Sequence, residues 1–123
     1  MNVLHLDEQT GWRGGEQQAS WLIQGLAKRG HRVIIAGRPG SAFLSSDHGS
    51  AGVEKVALPI WGEFDLLSAW KLARIVRREN VDILHAHSSH AHSIAVCARK
   101  IAGRGKVVVS RRVSFPPKVH VLN

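Results

Sequence analysis

The sequence predicts an α/β domain with an open, mostly parallel sheet and helices on both faces. Three observations carry this expectation. Short β-branched runs alternate with longer segments of helical periodicity. Two of those runs, RVIIA and KVVV, are apolar almost throughout, as strands covered on both faces are. Glycines follow directly on two of the helical segments, where a helix commonly ends.

In chain order, Val3–Leu6 reads as the first strand and Glu16–Arg29 as the first helix. Its stripe is Ala19, Leu22, Ile23, Leu26 and Ala27, and Gly30 stands at its C-cap. Arg32–Ala36 is the second strand. Residues 37–53, rich in Gly and Ser, form a loop or a partly ordered helix and connector. Glu54–Leu58 is a weaker third strand. The second clear helix, Asp65–Glu79, gathers Leu66, Ala69, Trp70, Ala73 and Val76 on one side, with Lys71, Arg74, Arg77 and Arg78 on the adjoining arc. Asp82–Ala86 is the fourth strand. The third helix, His90–Ala102, has the stripe Ile94, Ala95, Ala98, Ile101 and Ala102, with Ser88 or Ser89 as N-cap and Gly103 as stop. Lys106–Ser110 is the fifth strand. This order is Rossmann-like, and the usual arrangement sets the strands side by side as third, second, first, fourth, fifth.

The 123 residues are 44% hydrophobic and 21% charged, which suits one globular domain and excludes disorder over most of the chain. A single cysteine, Cys97, excludes a disulfide scaffold and a zinc ribbon. The apolar stretch after Met1 breaks at Asp7, too early for a secretory signal, and no apolar run approaches the roughly 18 residues of a membrane span. A cytoplasmic setting is therefore expected. The net charge of +8 is uneven, because residues 83–123 hold 7 Lys/Arg and no acid. No helix-turn-helix, zinc-finger or RRM pattern accompanies it, so nucleic acid is not the expected partner.

In such a sheet, ligands bind at the carboxyl ends of the first and fourth strands, where the strand order reverses. Residues 7–16, residues 85–92 and Ser110-Arg111-Arg112 all converge there. Gly14 and Gly15, just before a helix, let backbone N–H groups approach an anion such as a diphosphate. The spacing G-x-x-G-G is neither the dinucleotide fingerprint nor a P-loop. His85, His87, His90 and His92 invite a metal reading, which the lack of any carboxylate in residues 83–123 weakens. The better reading splits them. His85 and His87 share a strand face, one pointing into the crevice as a hydrogen-bond donor, while His90 and His92 lie at the helix surface. Arg111 and Arg112 match phosphate oxygens, although a solvated basic loop containing Lys118 reads equally well. The basic arc of the second helix is either its solvated face or a contact with an anionic membrane surface.

With these elements placed, the sequence resembles the N-terminal domain of GT-B glycosyltransferases, family 4 (group 1) in particular. The resemblance covers residues 2–117. It rests on the short first strand, on Gly14-Gly15-Glu16-Gln17-Gln18 opening a helix, on Leu26-Ala27-Lys28-Arg29-Gly30-His31-Arg32-Val33, and on Val81-Asp82-Ile83-Leu84-His85-Ala86-His87. It implies transfer of a sugar from a nucleotide-sugar donor to a glycan or lipid-linked acceptor, with no cofactor and no required metal. This domain would receive the acceptor, at the inner face of the membrane if it is peripheral. Gly14, Gly15, Glu16, His87, Ser88, Arg111 and Arg112 would line the cleft. Many retaining members carry a histidine after the fifth strand; Arg112 stands there in this sequence, which leaves a catalytic role at that position open. GT-B enzymes have a second Rossmann-like domain. Residues 1–117 are thus expected to be a truncated domain with a tail at 118–123, inactive without a C-terminal domain or partner chain. Two alternatives are an NADP-binding oxidoreductase module, with Arg38 meeting the 2′-phosphate, and a basic membrane-surface module.

Overall fold

The computed structural model describes residues 1–9, 11–12, 14–46, 48, 52–60 and 66–110. The elements run β1 (Asn2–Asp7), α1 (Gly14–Lys28), β2 (Arg32–Gly37), α2 (Ala42–Ser45) and β3 (Glu54–Ala57). They continue as α3 (Leu66–Arg78), β4 (Ile83–Ala86), α4 (Ser89–Ala102) and β5 (Lys106–Val109). All strand pairs are parallel and the order is β3-β2-β1-β4-β5, as the alternation of elements predicts. The order reverses between β1 and β4.

Strand alternation divides the sheet into two faces. Leu4, Leu6, Ile34, Ala36, Leu84 and Ala86 are buried beneath α3 and α4, and fully burying a side chain of Leu or Ile size is worth about 1.5–3 kcal/mol. On the opposite face, Val33 and Ile35 pack with Ala19 and Ile23 of α1 and Phe43 of α2. The caps stand where expected: Ser88 Oγ accepts the Ala91 N–H, and Gly103 closes α4 at φ +73°, donating to Arg99 O.

Three helix stripes differ in detail from the sequence reading. Leu22, Leu66, Trp70 and Ile101 are exposed. On α3 the buried residues include Ala69, Leu72, Ala73, Ile75 and Val76, a phase that turns Trp70 outward, where its ring stacks under the Arg74 guanidinium. The cause is close packing: α3 and α4 lie side by side, and the buried alanines at 69, 73, 91, 95 and 98 leave no room for an indole. The first helix also starts earlier than predicted, so Gly14 and Gly15 form its opening turn rather than a preceding loop.

Charge is sorted by sheet edge. At the amino edge, Arg32 bridges Glu54 and Glu79, and Arg104 pairs with Asp82. The Arg32 guanidinium holds the Glu54 and Glu79 carboxyls below their ordinary values. The carboxyl edge is different: imidazoles and carboxyl groups are buried there.

Candidate substrate crevice at the carboxyl edge

The ladder continues past the strand ends and brings three segments together. His87 N–H donates to Leu6 O, and Ser110 N–H donates to Ala86 O. On the α1 face, parallel register sets His5 of β1 directly opposite His85 of β4, and His87 follows two residues on. The His85 and His87 rings stack with centroids 4.2 Å apart and planes inclined by 16°. The His5 ring lies 5.2 Å from each. His5 Nδ1 and His87 Nε2 share a hydrogen bond of 2.9 Å, and His85 Nε2 bonds Ser110 Oγ at 2.6 Å. Burial, then the neighbouring His85 and His48, push the His5 pKa down to about 3, so its ring is neutral throughout the physiological range.

One nitrogen from each of His5, His85 and His87 lies within 4.8 Å of the others, which raises the question of a metal. A metal binds an imidazole along the in-plane nitrogen lone pair. A single ion cannot lie in the planes of two rings stacked 4.2 Å apart, so His85 and His87 would have to rotate to share one. The rings are arranged as a hydrogen-bonded stack.

A carboxyl cluster sits beside them. Asp7, Glu8 and Glu16 are all buried. Asp7 Oδ1 accepts the Gln9 N–H at 2.9 Å, while Asp7 Oδ2 is enclosed and accepts no hydrogen bond from the described residues. Burial raises the Asp7 pKa to about 8; a hydrogen bond with the Glu16 carboxyl and the charges of Glu16 and Glu8 add to the rise, and the Gln9 N–H opposes it. Two ionised carboxylates cannot hydrogen-bond each other. With its pKa near 8, Asp7 carries a proton at neutral pH, and that proton removes one negative charge beside the N-terminus of α1. That terminus, with the small residues Gly14 and Gly15 in its first turn, then suits an incoming anion.

The site residues named from the sequence fall as follows. Gly14 and Gly15 open α1, and Glu16 is buried against Asp7. His87 is buried on His5, and Ser88 uses its hydroxyl as the α4 cap. His90 is exposed and His92 half-buried, as expected for the start of a helix. Arg111 and Arg112 lie outside the described residues. Sequence reading did not single out His5 or Asp7 as site residues. The signal was present, because aligning the first and fourth strands in parallel sets His5 beside His85. It also did not single out His48, at φ +49°, whose ring bonds Ser20 at 2.9 Å and Phe43 O at 2.7 Å and so ties the 37–53 connector to α1.

A parallel sheet of this order, with a glycine-opened helix at the reversal point, defines a Rossmann-like α/β domain. The chain belongs to Glycosyltransferase Family 4, whose model matches residues 12–121. It is 33% identical over 92 residues to the N-acetyl-alpha-D-glucosaminyl L-malate synthase of Bacillus anthracis, covering 69% of this chain and 24% of the relative. Among solved structures it is similar to Acinetobacter baumannii MurG, with a TM-score of 0.68 and 15% identity over 98% of this chain and 38% of that one. Anabaena Alr3699/HepE in complex with UDP gives 0.68 and 20%, over 96% and 31%. A Rickettsia africae glycosyltransferase gives 0.69 and 18%, over 98% and 32%. At these identities the structural likeness is one of fold. The chain spans about a quarter of the curated relative and about a third of the similar structures. Among the described residues no helix is long and apolar enough to cross a membrane.

Proposed function

We propose that this chain is the acceptor-side part of a glycosyltransferase that moves a sugar from a nucleotide-sugar donor to a glycan or lipid-linked acceptor. The observation that carries the reading is the family membership, combined with a helix opened by Gly14 and Gly15 at the point where the strand order reverses. Relatives of the same fold are described with UDP and with DTDP, which supports a nucleoside diphosphate sugar as donor. Gly14 and Gly15 face the donor diphosphate and the acceptor across the cleft; His87, Ser88, Arg111 and Arg112 line it. Glu16 acts from beneath, through Asp7. The chain does not turn over alone, and it works with a C-terminal domain or partner chain that grips the nucleotide.

The test is an assay of sugar transfer with UDP- and dTDP-sugars. The 123-residue chain yields no product, and joining it to a GT-B C-terminal half creates activity. Gly15→Leu in that assembly abolishes it. Turnover by the chain alone would sink the dependence on a second half, and an active Gly15→Leu would sink the placement of the diphosphate.

The reading extends to a cytoplasmic protein held at an anionic membrane surface. Leu66, Leu67 and Trp70 are exposed at the start of α3. Beside them Lys71, Arg74 and Arg78 border a groove of about 270 Å³ floored by Val56, Leu58 and Ile75 of the β3 edge and α3. Exposed apolar residues next to cations suit phospholipid headgroups. Sedimentation with anionic vesicles, lost at high salt, supports this; absence of binding removes it.

A further inference from the structure

His5 lies beneath the crevice, fully buried, with only one of its two ring nitrogens bonded. Its Nδ1 meets His87 Nε2 at 2.9 Å, and its Nε2 is enclosed with no partner among the described residues. Two proton arrangements satisfy the bond. In one, His87 Nε2–H donates to His5 Nδ1; neutral His5 then carries its proton on Nε2, leaving an N–H buried with no acceptor. In the other, His5 Nδ1–H donates to His87 Nε2, and the atom left bare is a lone pair. Orphaned buried N–H groups are rare in native structures, and under-satisfied acceptors are less so. Burial also removes the third possibility, a doubly protonated His5, since its pKa lies at about 3.

We propose that His5 is a positioning residue for His87: its Nδ1–H donates to His87 Nε2 and holds the His87 proton on Nδ1, so that His87 meets sugar or phosphate oxygens as a hydrogen-bond donor. The ligand contact rests on the crevice role proposed for His87; the placement of the proton does not. Free imidazole side chains favour the proton on Nε2, so the buried bond reverses the ordinary preference. Stacking of His87 on His85, itself bonded to Ser110, holds the ring in the plane the bond requires. Asp7 lies two residues along the same strand face, so the two buried groups stand side by side under the carboxyl edge.

The experiment is nitrogen NMR of the full chain labelled with ¹⁵N-histidine, with His87 assigned by its loss in His87→Gln. The expected spectrum has a protonated Nδ1 and a bare Nε2 at His87. His5→Asn, whose amide nitrogen overlays the imidazole Nδ1, keeps that pattern, whereas His5→Leu returns His87 to the Nε2–H form. A wild-type His87 protonated on Nε2 overturns the proposal, as does an unchanged His87 in folded His5→Leu. If His5→Leu does not fold, the wild-type and His5→Asn spectra decide. The readout needs no substrate, so it is independent of whether the chain takes part in sugar transfer.

Discussion

Replacing Asp7 with asparagine tests the Asp7 proton directly. Asp7 binds its proton more tightly folded, at about 8, than unfolded, at the ordinary 3.8, so between those values the native state holds the extra proton. Stability therefore falls as pH rises through that window, by about 1.4 kcal/mol per pH unit for one proton. His5 acts in the opposite sense, with about 3 folded against 6.5 unfolded, so its contribution to stability grows with pH across that range. The two slopes offset each other from about pH 4 to 6.5. Above 6.5 the His5 offset is gone, and the Asp7 proton contributes a loss of about 2 kcal/mol by pH 8. In Asp7→Asn the carboxamide keeps an oxygen for the Gln9 N–H and offers Glu16 a permanent donor in place of the proton. Its His5 slope is unchanged, so the gap over wild type should widen by about 2 kcal/mol between pH 6.5 and 8. Urea unfolding at half-unit pH steps measures this gap. Stability curves for variant and wild type that stay parallel from pH 6 to 9 would refute the reasoning.

Three further outcomes are expected. Gly105→Ala places a Cβ 2.8 Å from Leu84 Cδ1 at a φ of +94°, so it should lower stability by about 1–3 kcal/mol with an unchanged m-value; an unmoved urea midpoint would count against that strain. Arg32→Met removes the bridge to Glu54 and Glu79, groups partly open to solvent, so its effect should be small and shrink at 1 M salt; a loss independent of salt would contradict the screening argument. Zinc chloride should leave the melting temperature unchanged, whereas an ion held at 100 times its Kd would add about 2.7 kcal/mol. A zinc-dependent rise that disappears in His5→Leu would show that the three imidazoles do rotate onto a metal.

Much of the architecture is legible in local pattern. The strands sit within a residue or two of where β-branched runs place them, and Gly30, Ser88 and Gly103 mark helix ends because capping is a property of a few consecutive residues. Strand order follows from the alternation of elements, and order in turn locates the crevice. Helix phase is less legible. Periodicity makes Leu66 and Trp70 as plausible as Leu72 for burial, and the choice is made by the alanine-lined packing of α3 on α4. The glycine motif is visible as a string, but whether it precedes the helix or opens it depends on how α1 meets the sheet.

The open α/β fold, its direction of chain and the edge where a ligand belongs are thus written in runs of a few residues, where propensity and capping act alone. Which side chains meet at that edge is another matter. His5 and His87 are 82 positions apart and share a 2.9 Å bond, and Asp7 meets Glu16 across a strand–helix junction. Their proton states follow from burial and from each other's charge, and both come into being when parallel register brings β1 and β4 together and α1 closes over them.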